Sequence, residues 1–184
     1  MNLSLFIVVL GGRSLKGNIE LHDVRWVIGE SIEDTFSELR AQWLGETNGL
    51  HIDSYKRIKY VEGYEIVISK SKKDKLNPPG IDDMKLWFVN LGGYNPKKMY
   101  EEHEFNLIVA KKAIEAKKKA KIKWESNLKN KHNDDYSGIN HLEQVDDFHP
   151  IKIKSWEINL IPDPEERNEK LIPDWYGYRR IDKF

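Results

Sequence analysis

The feature that most restricts this chain is that it is written twice. Leu86-Trp87-Phe88-Val89-Asn90-Leu91-Gly92-Gly93 repeats Leu5-Phe6-Ile7-Val8-Val9-Leu10-Gly11-Gly12. The shift of 81 that carries Leu10 to Leu91 also superposes, without a gap, Glu20 on Glu101, His22 on His103, Trp43 on Trp124, His51 on His132, Asp53 on Asp134 and Tyr55 on Tyr136. Rare residue types coinciding at one offset mark an internal repeat. Beyond Tyr136 the register returns at a shift of 92, with Tyr64-Glu65-Ile66 reappearing as Trp156-Glu157-Ile158, so the second copy carries an insert at about His141 to Ile153.

Each copy reads as the same run of elements. A continuous apolar strand ends at a Gly-Gly turn, where positive φ is the expected reason for glycine. Next, Glu20, His22, Val24, Trp26 and Ile28 alternate onto one face of a second strand, as do Glu101, His103, Phe105, Leu107 and Val109. A helix follows. In the first copy Ser31 is its expected N-cap, Ile32, Phe36, Leu39 and Trp43 form its apolar stripe, and Gly45 stops it; Ala113, Ala116, Ala120 and Trp124 are the matching stripe. An extended His-x-Asp-x-Tyr segment and a last strand close each copy.

This pattern predicts an α+β fold: two strand-strand-helix-strand-strand modules, mostly antiparallel, with helices on one side and an approximate two-fold axis. The expected boundaries are 1–69 for copy one, 70–83 for a linker, 84–162 for copy two and 163–184 for an aromatic tail packed on the body, all in one compact domain. At 184 residues the chain is long enough to bury a core.

The wording of the first copy, Phe6 to Arg13, then Asn18-Ile19-Glu20-Leu21-His22-Asp23-Val24-Arg25, Ile32-Glu33-Asp34-Thr35 and Leu50-His51-Ile52-Asp53-Ser54-Tyr55, resembles the bacterial family catalogued as domain of unknown function 1543. The resemblance covers both copies and implies the modular architecture. It implies no activity and assigns no catalytic residue. Copy two departs from the wording at Tyr94 and Glu104, where copy one has Arg13 and Asp23.

Charge and composition exclude several functions. Lysine plus arginine equal aspartate plus glutamate at 30 each, so no global field draws the molecule to nucleic acid or an anionic membrane. The lysines of 111–123 read as a solvated face without the aromatics and arginines of base recognition, while the matching segment of copy one is acidic, a contrast that favours one arrangement of the copies. There is no cysteine, which removes disulfides and thiolate sites and fits a cytoplasmic location. The apolar segment Leu5 to Leu10 is too short to span a bilayer, and its repetition in mid-chain marks it as structural.

The polar residues present in both copies are the candidate site: His22, His51, Asp53 and Tyr55, with His103, His132, Asp134 and Tyr136. In an extended segment His51, Asp53 and Tyr55 are expected to point the same way. Two imidazoles and a carboxylate suit a divalent metal such as zinc or iron; without metal, a histidine oriented by an aspartate suits acid–base work. The same residues also suit a satisfied polar pair that supports the sheet. Gly11-Gly12-Arg13 could cradle an anion, but it joins two strands rather than leading into a helix, so a turn is expected and no organic cofactor. The sequence therefore favours a small module binding a protein or small molecule in a groove between its copies, with a homodimer among its expected assemblies. The competing reading is a hydrolase or lyase using the paired histidines and aspartates.

Overall fold

The computed structural model describes residues 3–70, 83–94, 97–130 and 141–183, without the side chains of 94, 125–130 and 141–146. In chain order the strands are β1 (Ser4–Gly12), β2 (Leu21–Gly29), β3 (His51–Ile58), β4 (Tyr60–Val61), β5 (Tyr64–Ser69), β6 (Lys85–Tyr94), β7 (Glu101–Ala110), β8 (His141–Pro150), β9 (Glu157–Pro162) and β10 (Trp175–Arg180). Helix α1 (Phe36–Gln42) lies between β2 and β3, and α2 (Ala113–Asn130) between β7 and β8. Two compact units result, one from Met1–Leu76 with Lys152–Phe184 and one from Asn77–Ile151.

The fold is predominantly β, which corrects the α+β expectation. Ten antiparallel strands stand against two helices among the described residues. Two physical reasons account for the difference. The apolar stripe from Ile32 to Trp43 yields only a short helix, because Glu33–Thr35 is a 3-10 turn and Trp43 is already extended at ψ 136°. The aromatic tail, in turn, supplies another strand: β10 adds to β3 and closes one edge of a sheet ordered β10-β3-β1-β2.

In the first unit, Phe6, Val8, Leu10, Val27 and Ile52 cover one sheet face and pack with Ile32, Phe36, Leu39 and Trp43. Burying one such large side chain stabilises by about 1.5–3 kcal/mol. The second unit repeats the plan with the sheet β7-β6-β8, whose Trp87, Val89 and Leu91 pack on Ala116, Ala120 and Trp124. The expected alanine stripe of α2 is thus the buried one.

The two glycines after each apolar run are not in turns. Gly11 and Gly12 lie within β1, and among the described residues the glycines with positive φ are Gly49, Gly63 and Gly177. Side-chain space explains the pair instead. A Cβ on Gly12 would lie 2.8 Å from the Trp43 ring, and one on Gly11 would lie 2.4 Å from Nε2 of His51.

A third sheet, β4-β5-β9, belongs to the first unit. Glu62 and Gly63, both at positive φ, make the two-residue turn between β4 and β5. Strand β5 then pairs with β9, its counterpart from the second copy, and Val67 faces Asn159. Those two residues differ by the same shift of 92 that relates Tyr64 to Trp156, so a local two-fold axis runs between them.

Candidate functional site

The site begins with one row of the first sheet. Gly11 of β1 stands opposite His22 of β2 on one side and opposite His51 of β3 on the other. Directly opposed residues in a sheet point to the same face, so the two imidazoles flank a position with no side chain. Because Gly12 faces Trp43 and the core, Gly11 and the histidines lie on the face turned away from α1.

A β-bulge brings in the carboxylate. Val9 faces Ser54 and Leu10 faces Ile52, leaving Asp53 as an extra residue in β3. The insertion allows Asp53 to stay beside His51 and returns Tyr55 to the opposite face. Tyr55 therefore packs edge-on against Phe6 at 6.0 Å, within the core cluster, and is not part of the site. The expectation that His51, Asp53 and Tyr55 share a face fails at its third residue.

Asp53 sits between the histidines, with Oδ1 3.2 Å from Nε2 of His51 and Oδ2 3.3 Å from Nε2 of His22. Glu20 approaches the same two atoms, at 3.6 Å from His51 and 4.0 Å from His22. Environment separates the two imidazoles. The His51 side chain is 1% exposed and that of His22 is 55% exposed, so only His22 is open to an incoming molecule.

His51 is also fixed from behind. Its Nδ1 is 2.9 Å from the carbonyl of Gly49, which can only accept, so Nδ1 carries the proton and Nε2 faces the carboxylates. Gly49 is held in turn by donating its N–H to Asp182. Asp182 pairs with Arg180, and that guanidinium, ahead of the Gly49 N–H, keeps the Asp182 carboxyl well below the usual carboxylate range. The ring of Tyr178 lies over His51 with centroids 4.1 Å apart. Tyr178, Arg180 and Asp182 come from the tail and were not legible as site residues. Their one sequence signal is a Tyr-x-Tyr-Arg-Arg run whose Gly177, at φ 150°, admits a register shift between Tyr176 and Arg179.

The second unit holds a reduced version. His103 faces Gly92 and lies 3.7 Å from Glu101, as His22 and Glu20 do in the first unit, and its Nδ1 is 3.2 Å from the Asn90 amide. On the other side Gly92 faces Gln144 of β8. The bulge is repeated here, since Asn90 faces Asp147 and Leu91 faces Val145, and Phe148 packs on Trp87 as Tyr55 packs on Phe6. Strand β8 thus occupies the place of β3, at a shift of 93, and glutamine stands where the first unit has His51. His132, Asp134 and Tyr136 lie outside the described residues.

Among the described residues, no group of three or more His, Cys, Asp or Glu is arranged so that it could hold a metal ion. No helix among them is long and apolar enough to cross a membrane.

Comparison with known proteins agrees with this two-copy description. The chain belongs to the family described as Domain of Unknown Function (DUF1543), whose model matches residues 17–68 and 98–148. Each matched stretch spans the second strand of a copy and the strand carrying the bulge. The chain is also similar to the crystal structure of a protein from Idiomarina loihiensis, at 27% identity and a TM-score of 0.73, over 99% of each chain. No curated protein matches it.

Proposed function

We propose that this protein is a small hydrolase with an acid–base site in the first unit. The observation that carries the reading is the joining of a buried and an exposed imidazole by one carboxylate, His51-Asp53-His22. A purely structural polar pair has no need to present an imidazole to solvent on a buried, oriented partner. In this reading Nε2–H of His22 stays directed at Asp53, while Nδ1 takes a proton from a water as that water attacks the substrate, and returns it to the leaving group. Asp53 stabilises the imidazolium that forms in between. His51 positions Asp53, and Tyr178 and the Gly49 carbonyl hold His51.

The site suits a small polar substrate, since its described lining is imidazole, carboxylate and phenol. Release of p-nitrophenol from carboxylic, phosphate and phosphodiester esters tests this directly. Turnover is expected for one class, with a loss of about a hundredfold or more in His22→Ala and in Asp53→Asn. No turnover by the wild type, or unchanged turnover by both variants, sinks the reading.

A further inference from the structure

A cleft of about 390 Å³ opens in the first unit, away from the two histidines. Phe6 and Tyr55 reach it from the sheet, Ile32 from the turn before α1, and Glu169 and Asp174 from the tail. Phe6 packs in the core cluster, so the cleft lies toward the face opposite Gly11. It also lies toward the other end of β1, where the five residues from Phe6 to Gly11 cover about 17 Å. Clefts of about 300–1,000 Å³ are the usual size for small-molecule sites.

The acidic groups of this cleft are already engaged. Asp174 accepts from the Arg57 N–H at 2.7 Å and from the Lys56 ammonium at 3.2 Å, Glu169 accepts from the Lys59 N–H at 3.4 Å, and Glu33 pairs with Arg179 at 2.8 Å. Two of its cations are not. The Arg57 guanidinium lies over the Phe6 ring, 5.4 Å from its centre, and has no hydrogen-bond or ion-pair partner among the described residues. In this it differs from the other arginines. Arg25, Arg167, Arg179 and Arg180 meet carboxylates, Arg40 donates to a carbonyl, and Arg13 is exposed, so Arg57 is the half-buried arginine left open. The Lys59 ammonium, on an exposed residue at the rim, is likewise unpaired among the described residues.

We propose that this cleft binds a small aromatic carboxylate, held by Arg57 and Lys59. Charge sets the valence of the ligand. With Lys56 matched to Asp174 and Arg179 to Glu33, Arg57 and Lys59 stand against Glu169 alone, which leaves one positive charge for a monoanion. Geometry selects the carboxylate, because the planar guanidinium offers paired N–H donors that match its two oxygens. The apolar lining selects the body. Ile32 and Tyr55 give the cleft an apolar wall, and Tyr55 is held in place by stacking on Trp175 at 6.0 Å, so a ring packs there while its carboxylate reaches Arg57. The tail fixes the same wall, since the Asp174 N–H donates to the Tyr55 carbonyl at 2.9 Å. In the second unit Pro150 stands opposite Trp87, where the first has Arg57 opposite Phe6, so the proposal counts one ligand per chain. It does not depend on the hydrolase reading.

Isothermal titration of sodium benzoate into the full-length protein tests the assignment. One saturable site per chain is expected, with affinity lowered about tenfold or more in Arg57→Gln and about tenfold or more for benzamide, which lacks the charge. Binding is expected to be unchanged in His22→Ala, which separates this cleft from the acid–base site. Lys59 is exposed, so Lys59→Gln, expected to weaken binding about threefold, keeps the test valid if Arg57→Gln folds poorly. No saturable binding, full affinity in either cleft variant, equal binding of benzamide, or loss of binding in His22→Ala overturns the proposal. Inorganic phosphate binding more tightly than benzoate would overturn the ligand class.

Discussion

Gly11 has no side chain, and its partner His51 cannot step aside. The imidazole is buried, bonded to Gly49 and stacked under Tyr178, so an added methyl at 2.4 Å from Nε2 meets a fixed ring rather than a flexible end. Gly11→Ala is therefore expected to destabilise by about 1–3 kcal/mol in urea unfolding and to displace His51. A variant as stable as the wild type would mean that the ring is mobile. The sequence drew attention to this glycine for the wrong cause. A Gly-Gly pair after an apolar run reads as a turn, and only a partner 40 residues away, His51, reveals it as clearance within a strand.

At the level of elements, β3 and β10 decide what the site contains. Alternation along β3 predicts His51, Asp53 and Tyr55 on one face, but period-two reasoning cannot detect an inserted residue, and the bulge at Asp53 sends Tyr55 into the core. The phenol at the site is Tyr178 of β10, a strand that depends on pairing with β3 and shows no strict alternation of its own. The Arg180-Asp182 pair ties the end of β10 to Gly49, just before β3. Because the folded Asp182 carboxyl lies below its ordinary value of 3.8, its contribution is present above that pH and is lost as acid protonates it. Thermal stability is accordingly expected to fall below about pH 4, and less steeply in Asp182→Asn than in wild type. Equal slopes in differential scanning calorimetry would show that this pair does not hold the strand.

At the scale of the whole chain, the duplication was legible because rare residues recur at one offset, and the hydrophobic runs placed β1, β2, β6 and β7. The fit of His132 to His51 at that same offset continued past the point where the copies diverge. Strand registers put Gln144 opposite Gly92, a relation that spacing alone could not reveal. The pairing of β5 with β9 was hidden for a similar reason, since both are short apolar runs that only the ladder brings together. Asn159 marks that seam: it is 1% exposed and donates to the Val67 carbonyl and the Ser69 hydroxyl. Replacing it with alanine should lower the unfolding free energy by about 1–3 kcal/mol, and a neutral result in chemical denaturation would remove it as a tie between the copies.

The first unit is also discontinuous in the chain, taking up again at Lys152 after the whole of the second has been written. During synthesis the second unit leaves the ribosome as an uninterrupted stretch, whereas β5 must wait for β9 and His51 for Tyr178. Translation proceeds at roughly 5–20 residues per second, so this wait lasts several seconds. Throughout it the nascent first unit carries an unpaired strand edge, which makes it the part of the molecule with the greater call on a chaperone. Whatever the site does, it is assembled last.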